Sequence, residues 1–250
     1  VARADLAGQP PPFHKLRDKH VVGDHDATPH TIDAPPAWRA RQRAHYMANV
    51  AMIDAELARI LEALDDAGRL DDAIVVFASD HGDLLGDHGH SQKWTMYEEV
   101  VRVPLIVWSR SRLPGRGEVG ALVQLPDIAP ALLELAGVDA PSWFEMASVL
   151  PALRGEPFAG RYEVLCEQGR DVVFQFADFV TMLRTPRRKL VHFLDEPYGQ
   201  LFDLDDDPHE ERDRWSDPAY AAERDALVER LHAWRLASAY RARDWADAFR

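Results

Sequence analysis

The chain has little of three things. It carries one cysteine, Cys166, in 250 residues, which excludes an intrachain disulfide framework. Its 29 Lys and Arg are outnumbered by 42 Asp and Glu, for a formal net charge of -13. That balance excludes a nucleic-acid partner, because phosphate backbones reward basic surfaces, and gives nothing for an electrostatic membrane anchor. It also lacks any apolar stretch near the roughly 18 residues that span a bilayer, and its opening VARADLAGQPPPFHK has no apolar signal core. The expectation is a cytoplasmic protein without a membrane partner. A hydrophobic share of 46%, with seven Trp and ten Phe, supports a packed core, in one large domain or a main domain with a smaller appendage.

Residues 1–36 are rich in Pro, His and Asp without apolar periodicity, and are expected to form a loop-rich N-terminal segment. His14, His20, His25 and His30 fall there, too irregularly spaced for a compact ligand set. Residues 37–155 follow an α/β pattern. Met47, Val50, Ile53, Leu57, Ile60, Leu61 and Leu64 recur at spacings of three and four, predicting a helix that ends before Gly68 and lies on an apolar surface. AIVVFA, residues 73–78, is an unbroken β-branched and aromatic run, the pattern of a strand buried on both faces of a parallel sheet. VPLIVW at 103–108 predicts a second strand. LPDIAPALLELAGV at 125–138 predicts a helix entered through Asp127 and Pro130 and closed by Gly137. From 156 to 250 the texture becomes that of a small antiparallel subdomain: short runs such as DFVTMLRTP and RRKLVHFL, then a terminal helix from about Ala219 to Tyr240. Cys166, in YEVLCEQ, reads as a buried strand position rather than a reactive thiol.

Chemistry concentrates in SDHGDLLGDHGHSQKW, residues 79–94. In open α/β sheets ligands collect at the carboxyl ends of strands, and AIVVFA delivers Asp80 and His81 to such an end, with Gly82 allowing a sharp turn. A carboxylate beside an imidazole is a plausible pair of metal ligands. Lys93, in the same polar loop, can bring an ammonium back to neutralise an anionic oxygen. Asp83, Asp87, His88 and His90 are expected to shape the loop. The acidic run DLDDDPHEE lacks the spacing and glycine of an EF-hand loop and reads as a solvated turn.

VVFASDHGDLLGDHGHSQKWTMYEEVVRVPLIVW resembles the sulfatase family of the alkaline phosphatase superfamily, in which a strand is followed by Ser-Asp-His-Gly or a variant, a Lys, Tyr-Glu-Glu and Arg-Val-Pro-Leu-Ile. The helix before the strand, LVQLPDIAPALLELAGV, LRTPRRKLVHF and QLFDLDDDPHEERDRW resemble the family's later segments in the same order, so the likeness covers roughly residues 40–240 and the family's C-terminal half. It implies an alkaline phosphatase-like fold: part of a parallel-rich sheet flanked by helices, then a small antiparallel sheet with a helix. It further implies a sulfuric ester hydrolase acting on small sulfate esters, with Asp80 and His81 as ligands of a divalent cation and Lys93 contacting the sulfate group. Tyr97, Glu98, Glu99 and Arg102 are implied to brace the loop. The family's cation is often calcium; the imidazole of His81, where many members carry Asn, resembles the phosphonate monoester hydrolase and choline sulfatase branches and shifts the expectation toward manganese or zinc.

The family's formylglycine arises from a Cys-or-Ser-x-Pro-x-Arg motif, and no such motif occurs in these 250 residues; Cys166 is followed by EQGR. The resemblance therefore implies half of an active site. Three readings follow: the C-terminal portion of a sulfatase-like hydrolase, a phosphonate monoester or phosphodiester hydrolase of the same superfamily, or a non-catalytic interaction module. A sheet without the family's N-terminal strands would expose apolar surface, so the expected partner is the missing N-terminal half or a second copy of the chain.

Overall fold

The computed structural model describes residues 8–22, 35–114, 117–141 and 143–247, so His25 and His30 lie outside the described residues. The chain divides into two compact units, Val1–Pro114 with Arg170–Phe176, and Gly115–Gly169 with Ala177–Arg250.

The first unit opens on helix α1 (Pro11–Val22), where the sequence reading expected loop. Proline in the first turn pre-sets a helical φ, and Phe13 and Leu16, one turn apart, are both fully buried. Two apolar residues were too few to register as a period. Helix α2 (Pro36–Asp66) follows the predicted bounds, and Gly68, at φ 65°, closes it by letting the Arg69 amide reach the Leu64 carbonyl at 2.9 Å. None of its residues is buried, and Met47, Val50, Ile53 and Ile60 are each about half exposed or more. The periodicity encodes an apolar stripe, but the surface that would cover it is not among the described residues.

Strand β1 (Val75–Ala78) pairs with β2 (Leu105–Trp108) in a two-stranded antiparallel sheet, Val75 opposite Trp108 and Ala78 opposite Leu105. This corrects the expectation of a parallel strand buried on both faces. A run of apolar side chains carries no information on strand direction, and every residue of β1 keeps some exposure. Between the strands, the short helix α3 (Glu98–Val101) follows the polar loop.

The second unit begins with a turn at Leu125–Asp127 and helix α4 (Ile128–Leu135). Asp127 forms a capping box with Gln124. Helix α5 (Leu150–Leu153) follows; Leu150 and Val149 bury against Ala131. Strands β3 (Val164–Gly169), β4 (Phe179–Arg184), β5 (Arg188–Phe193) and β6 (Gly199–Asp203) form an antiparallel meander in that order, the small antiparallel sheet expected from these short runs. Helix α6 (Ala221–Asp247) covers one face: Leu183, Leu190 and Leu201 from three adjacent strands meet Leu227 and Leu231, one turn apart. Each such buried leucine contributes about 1.5–3 kcal/mol. Cys166 sits on β3, where burial pushes its thiol up, consistent with a packed strand position. Among the described residues no helix is long and apolar enough to cross a membrane.

Candidate active site

Asp80, His81 and Lys93 come together at the end of β1. The first two leave the strand consecutively, and the loop returns Lys93 to them: its Nζ lies 3.1 Å from His81 Nε2, and Asp80 Oδ2 lies 3.6 Å from the same nitrogen. The other ring nitrogen, Nδ1, is 2.8 Å from the Gly82 carbonyl oxygen. A carbonyl only accepts and an ammonium only donates, so the two contacts together specify the tautomer. Nδ1 carries the proton and Nε2 presents its lone pair toward Asp80 and Lys93. An imidazole whose outer N–H is fixed on a backbone carbonyl is the arrangement metal-ligating histidines use.

Asp80 is 85% exposed. The His81 amide, which donates to Oδ1 at 2.9 Å, holds its carboxyl below the usual carboxylate range. It therefore presents a full charge near neutrality. Ser79 Oγ donates to the His81 carbonyl at 2.8 Å, fixing the backbone between the two donors. No group of three or more His, Cys, Asp or Glu able to hold a cation occurs among the described residues. The donor chemistry present fits a divalent ion as a partial set: one anionic oxygen, one imidazole nitrogen, and a lysine beside them.

The loop is held in a conformation that its own residues disfavour. Leu85, His88, Gln92 and Trp94 all have left-handed φ, between 47° and 73°, each at a cost of about 1–3 kcal/mol. Contacts over-determine it. Asp83 Oδ1 accepts from the amides of Leu85 and Gln92, both at 2.9 Å. The His88 ring stacks on Tyr97 with centroids 3.7 Å apart, and its Nε2 meets Glu99 at 3.3 Å. Arg43 of α2 pairs with Asp87 at 2.8 Å. Gln9, just before α1, donates to the His88 carbonyl at 2.8 Å and meets His90 Nε2 at 2.9 Å. Phe13 lies edge-on to His90, centroids 5.7 Å apart.

Sequence reasoning missed Gln9, Arg43 and Asp171 as parts of this assembly. Asp171 accepts the Trp94 indole N–H at 2.8 Å. Burial works to raise its carboxyl, but the Phe174 amide, the Trp94 indole and the Val173 amide outweigh it and hold the group below its ordinary value. These residues lie some 40 to 80 positions from the residues they touch, and no local pattern marks them.

Gly82 has a different reason from the one its sequence position suggested. Its φ is not positive, but a Cβ there would stand 1.9 Å from the Glu99 carbonyl oxygen, while its amide bonds to Val100 O at 2.8 Å. Close approach of two backbones, not a special dihedral, demands glycine. Gly82→Ala is expected to destabilise the first unit by about 1–3 kcal/mol and to speed hydrogen exchange in residues 82–100; unchanged exchange would refute the close approach.

The Sulfatase family model matches residues 11–138, and the model of the N-sulphoglucosamine sulphohydrolase C-terminal region matches residues 86–237. The N-acetylglucosamine-6-O-sulfatase of Bacteroides thetaiotaomicron is 29% identical over 205 residues, which are 78% of this chain and 36% of that protein. The multifunctional alkaline phosphatase superfamily protein PehA of Trinickia caryophylli is 34% identical over 215 residues, 80% of this chain and 41% of that one. Among solved structures, the phosphonate monoester hydrolase of Agrobacterium radiobacter superposes with a TM-score of 0.70 at 31% identity, covering 78% of this chain and 41% of its own. The chain thus spans about two fifths or less of the length of these relatives.

Proposed function

The chain belongs to the sulfatase family, and from that premise we propose that it carries the cation- and anion-binding part of a metal-dependent sulfate-ester hydrolase. Asp80 and His81 are two ligands of a divalent cation, and Lys93 binds an oxygen of the sulfate group. The observation that carries this is the His81 ring, fixed through Nδ1 on Gly82 O so that Nε2 faces Asp80 and Lys93 together. A bound cation would supply Lewis acidity toward the ester oxygens. Asp80 contributes fixed negative charge to the cation, His81 a softer donor that favours manganese or zinc over calcium. Lys93 offsets the charge of the anion and orients it. The nucleophile, formylglycine in the family the sequence resembles, is not encoded in these 250 residues. We place it in the portion of the relatives that this chain does not span.

The test is calorimetric titration of the chain with Mn2+, Zn2+ and Ca2+. Asp80→Ala and His81→Ala are each expected to weaken Mn2+ and Zn2+ binding at least about tenfold, with Ca2+ the weakest of the three in the unaltered chain. Equal affinity in the unaltered chain and both variants would sink the assignment.

A second reading, hydrolysis of phosphonate monoesters or phosphodiesters, is favoured by His81 and by the likeness to the Agrobacterium enzyme. Aryl sulfate and aryl phosphonate monoester assayed side by side, on a protein that includes the nucleophile-bearing portion, separate the two.

A further inference from the structure

Lys93 stands between two residues with left-handed backbones, Gln92 at φ 61° and Trp94 at φ 73°. Each neighbour is held by a distant carboxylate. The Gln92 amide donates to Asp83. The Trp94 indole, whose residue is only 8% exposed, donates to Asp171. The Lys93 ammonium lies 5.9 Å from the centroid of that same indole ring, within the range where a cation is drawn to an aromatic face, and 3.1 Å from His81 Nε2. A lysine side chain has four rotatable bonds and no preferred direction of its own. Here the ammonium meets His81 and lies beside the ring.

The two oxygens of Asp171 have separate tasks. Oδ1 accepts the amides of Val173 at 2.7 Å and Phe174 at 2.6 Å, closing a local turn, while Oδ2 alone takes the indole N–H. The residue lies in Arg170–Phe176, which joins β3 to β4 in the chain but belongs to the first compact unit. Within the first unit, a segment some 77 residues further along the chain therefore delivers a carboxylate to the residue adjoining Lys93. We propose that Asp171 is a positioning residue for anion binding: by fixing the Trp94 indole it aims the Lys93 ammonium at the sulfate oxygens. This rests on the reading of Lys93 as the anion contact.

Only four lysines occur in the chain, Lys15, Lys19, Lys93 and Lys189, so trace amine labelling read by mass spectrometry follows each separately. Inorganic sulfate is the probe. It is expected to slow the labelling of Lys93 in the unaltered chain and to leave Lys15 unaffected. Asp171→Asn keeps an oxygen for the Val173 and Phe174 amides but turns an NH2 toward the indole. Trp94→Phe keeps the aromatic face and removes the indole donor. Each is expected to raise the half-protecting sulfate concentration about five- to tenfold, the scale of one ordinary hydrogen bond. The double variant should add little more, because both remove the same link.

Lys19 supplies the control, since its Nζ donates to the Val172 carbonyl at 2.9 Å and reports on the loop itself. Its labelling rate should not change in either variant. If Lys93 protection falls only together with faster Lys19 labelling, Asp171 has a merely structural role and the proposal is overturned. Protection undiminished in both variants overturns it while leaving Lys93 as the anion contact. Absence of protection in the unaltered chain removes the Lys93 reading and this proposal with it.

Discussion

Lys189→Met is expected to cost the second unit about 3–5 kcal/mol, the usual loss when one partner of a buried ion pair is deleted. Lys189 on β5 is fully buried, and its Nζ lies 2.6 Å from Glu210 Oε1, itself 1% exposed. Methionine has similar length and the site accommodates its volume, so lost packing is a minor part of the effect. The larger part is loss of the ammonium that offsets the buried Glu210 carboxylate. Hydrogen exchange of the β4 and β5 amides measures it, the expected result being loss of protection across both strands. Lys189→Met/Glu210→Leu should recover most of the stability, because replacing both members by apolar groups is often close to neutral. A single variant as stable as the parent would show that the ion pair contributes little.

Arg161→Met is expected to be about as damaging, again roughly 3–5 kcal/mol, for a related reason. The carboxylate of Asp127 is 1% exposed and takes both arms of the guanidinium, Nε to Oδ2 at 2.6 Å and Nη2 to Oδ1. It also accepts the amides of Gln124 and Ala147, each at 2.9 Å. One side chain thus ties the entry to α4, the segment before α5 and the start of the sheet region. Burial works to raise this carboxyl, but Arg161 and the two amides outweigh it and hold it below the ordinary 3.8. The stabilisation is therefore complete above about pH 4 and is lost as pH falls through the lower folded value. Arg161→Met should unfold at a higher pH on acid titration, and Arg161→Lys should fall between it and the parent, keeping the charge but losing the two-armed geometry. Acid midpoints that coincide for all three would sink the assignment.

Much of the candidate site was legible because it is local. Asp80 and His81 are adjacent in sequence, the strand before them is marked by apolar residues, and Lys93 lies in the same polar loop. Their meeting requires only that the loop fold back. Why it folds back was not legible. Four left-handed non-glycine residues have no signal in their identities, and the groups that hold them, Gln9, Arg43 and Asp171, come from other segments. Gly82 was rightly singled out for the wrong reason, because a clash with Glu99 exists only once α3 has packed beside it.

The same division holds for the fold. Periodicity determined α2, and short apolar runs between turn signals marked the strands of the meander, since each is a pattern carried along one segment. The direction of β2 against β1, the helix hidden in a proline-rich stretch, and the burial of Lys189 were decided by tertiary structure alone. In RRKLVHF, Lys189 alternates with Leu190 as a solvated lysine would; in the fold it shares a buried face with Val191 and Phe193, and Glu210 meets its ammonium there. The sequence by itself determined which groups of chemistry and which local repeats this protein has. Which of them are desolvated, and toward what they point, followed from contacts between residues far apart in the chain, because burial and orientation belong to surroundings that no short segment carries.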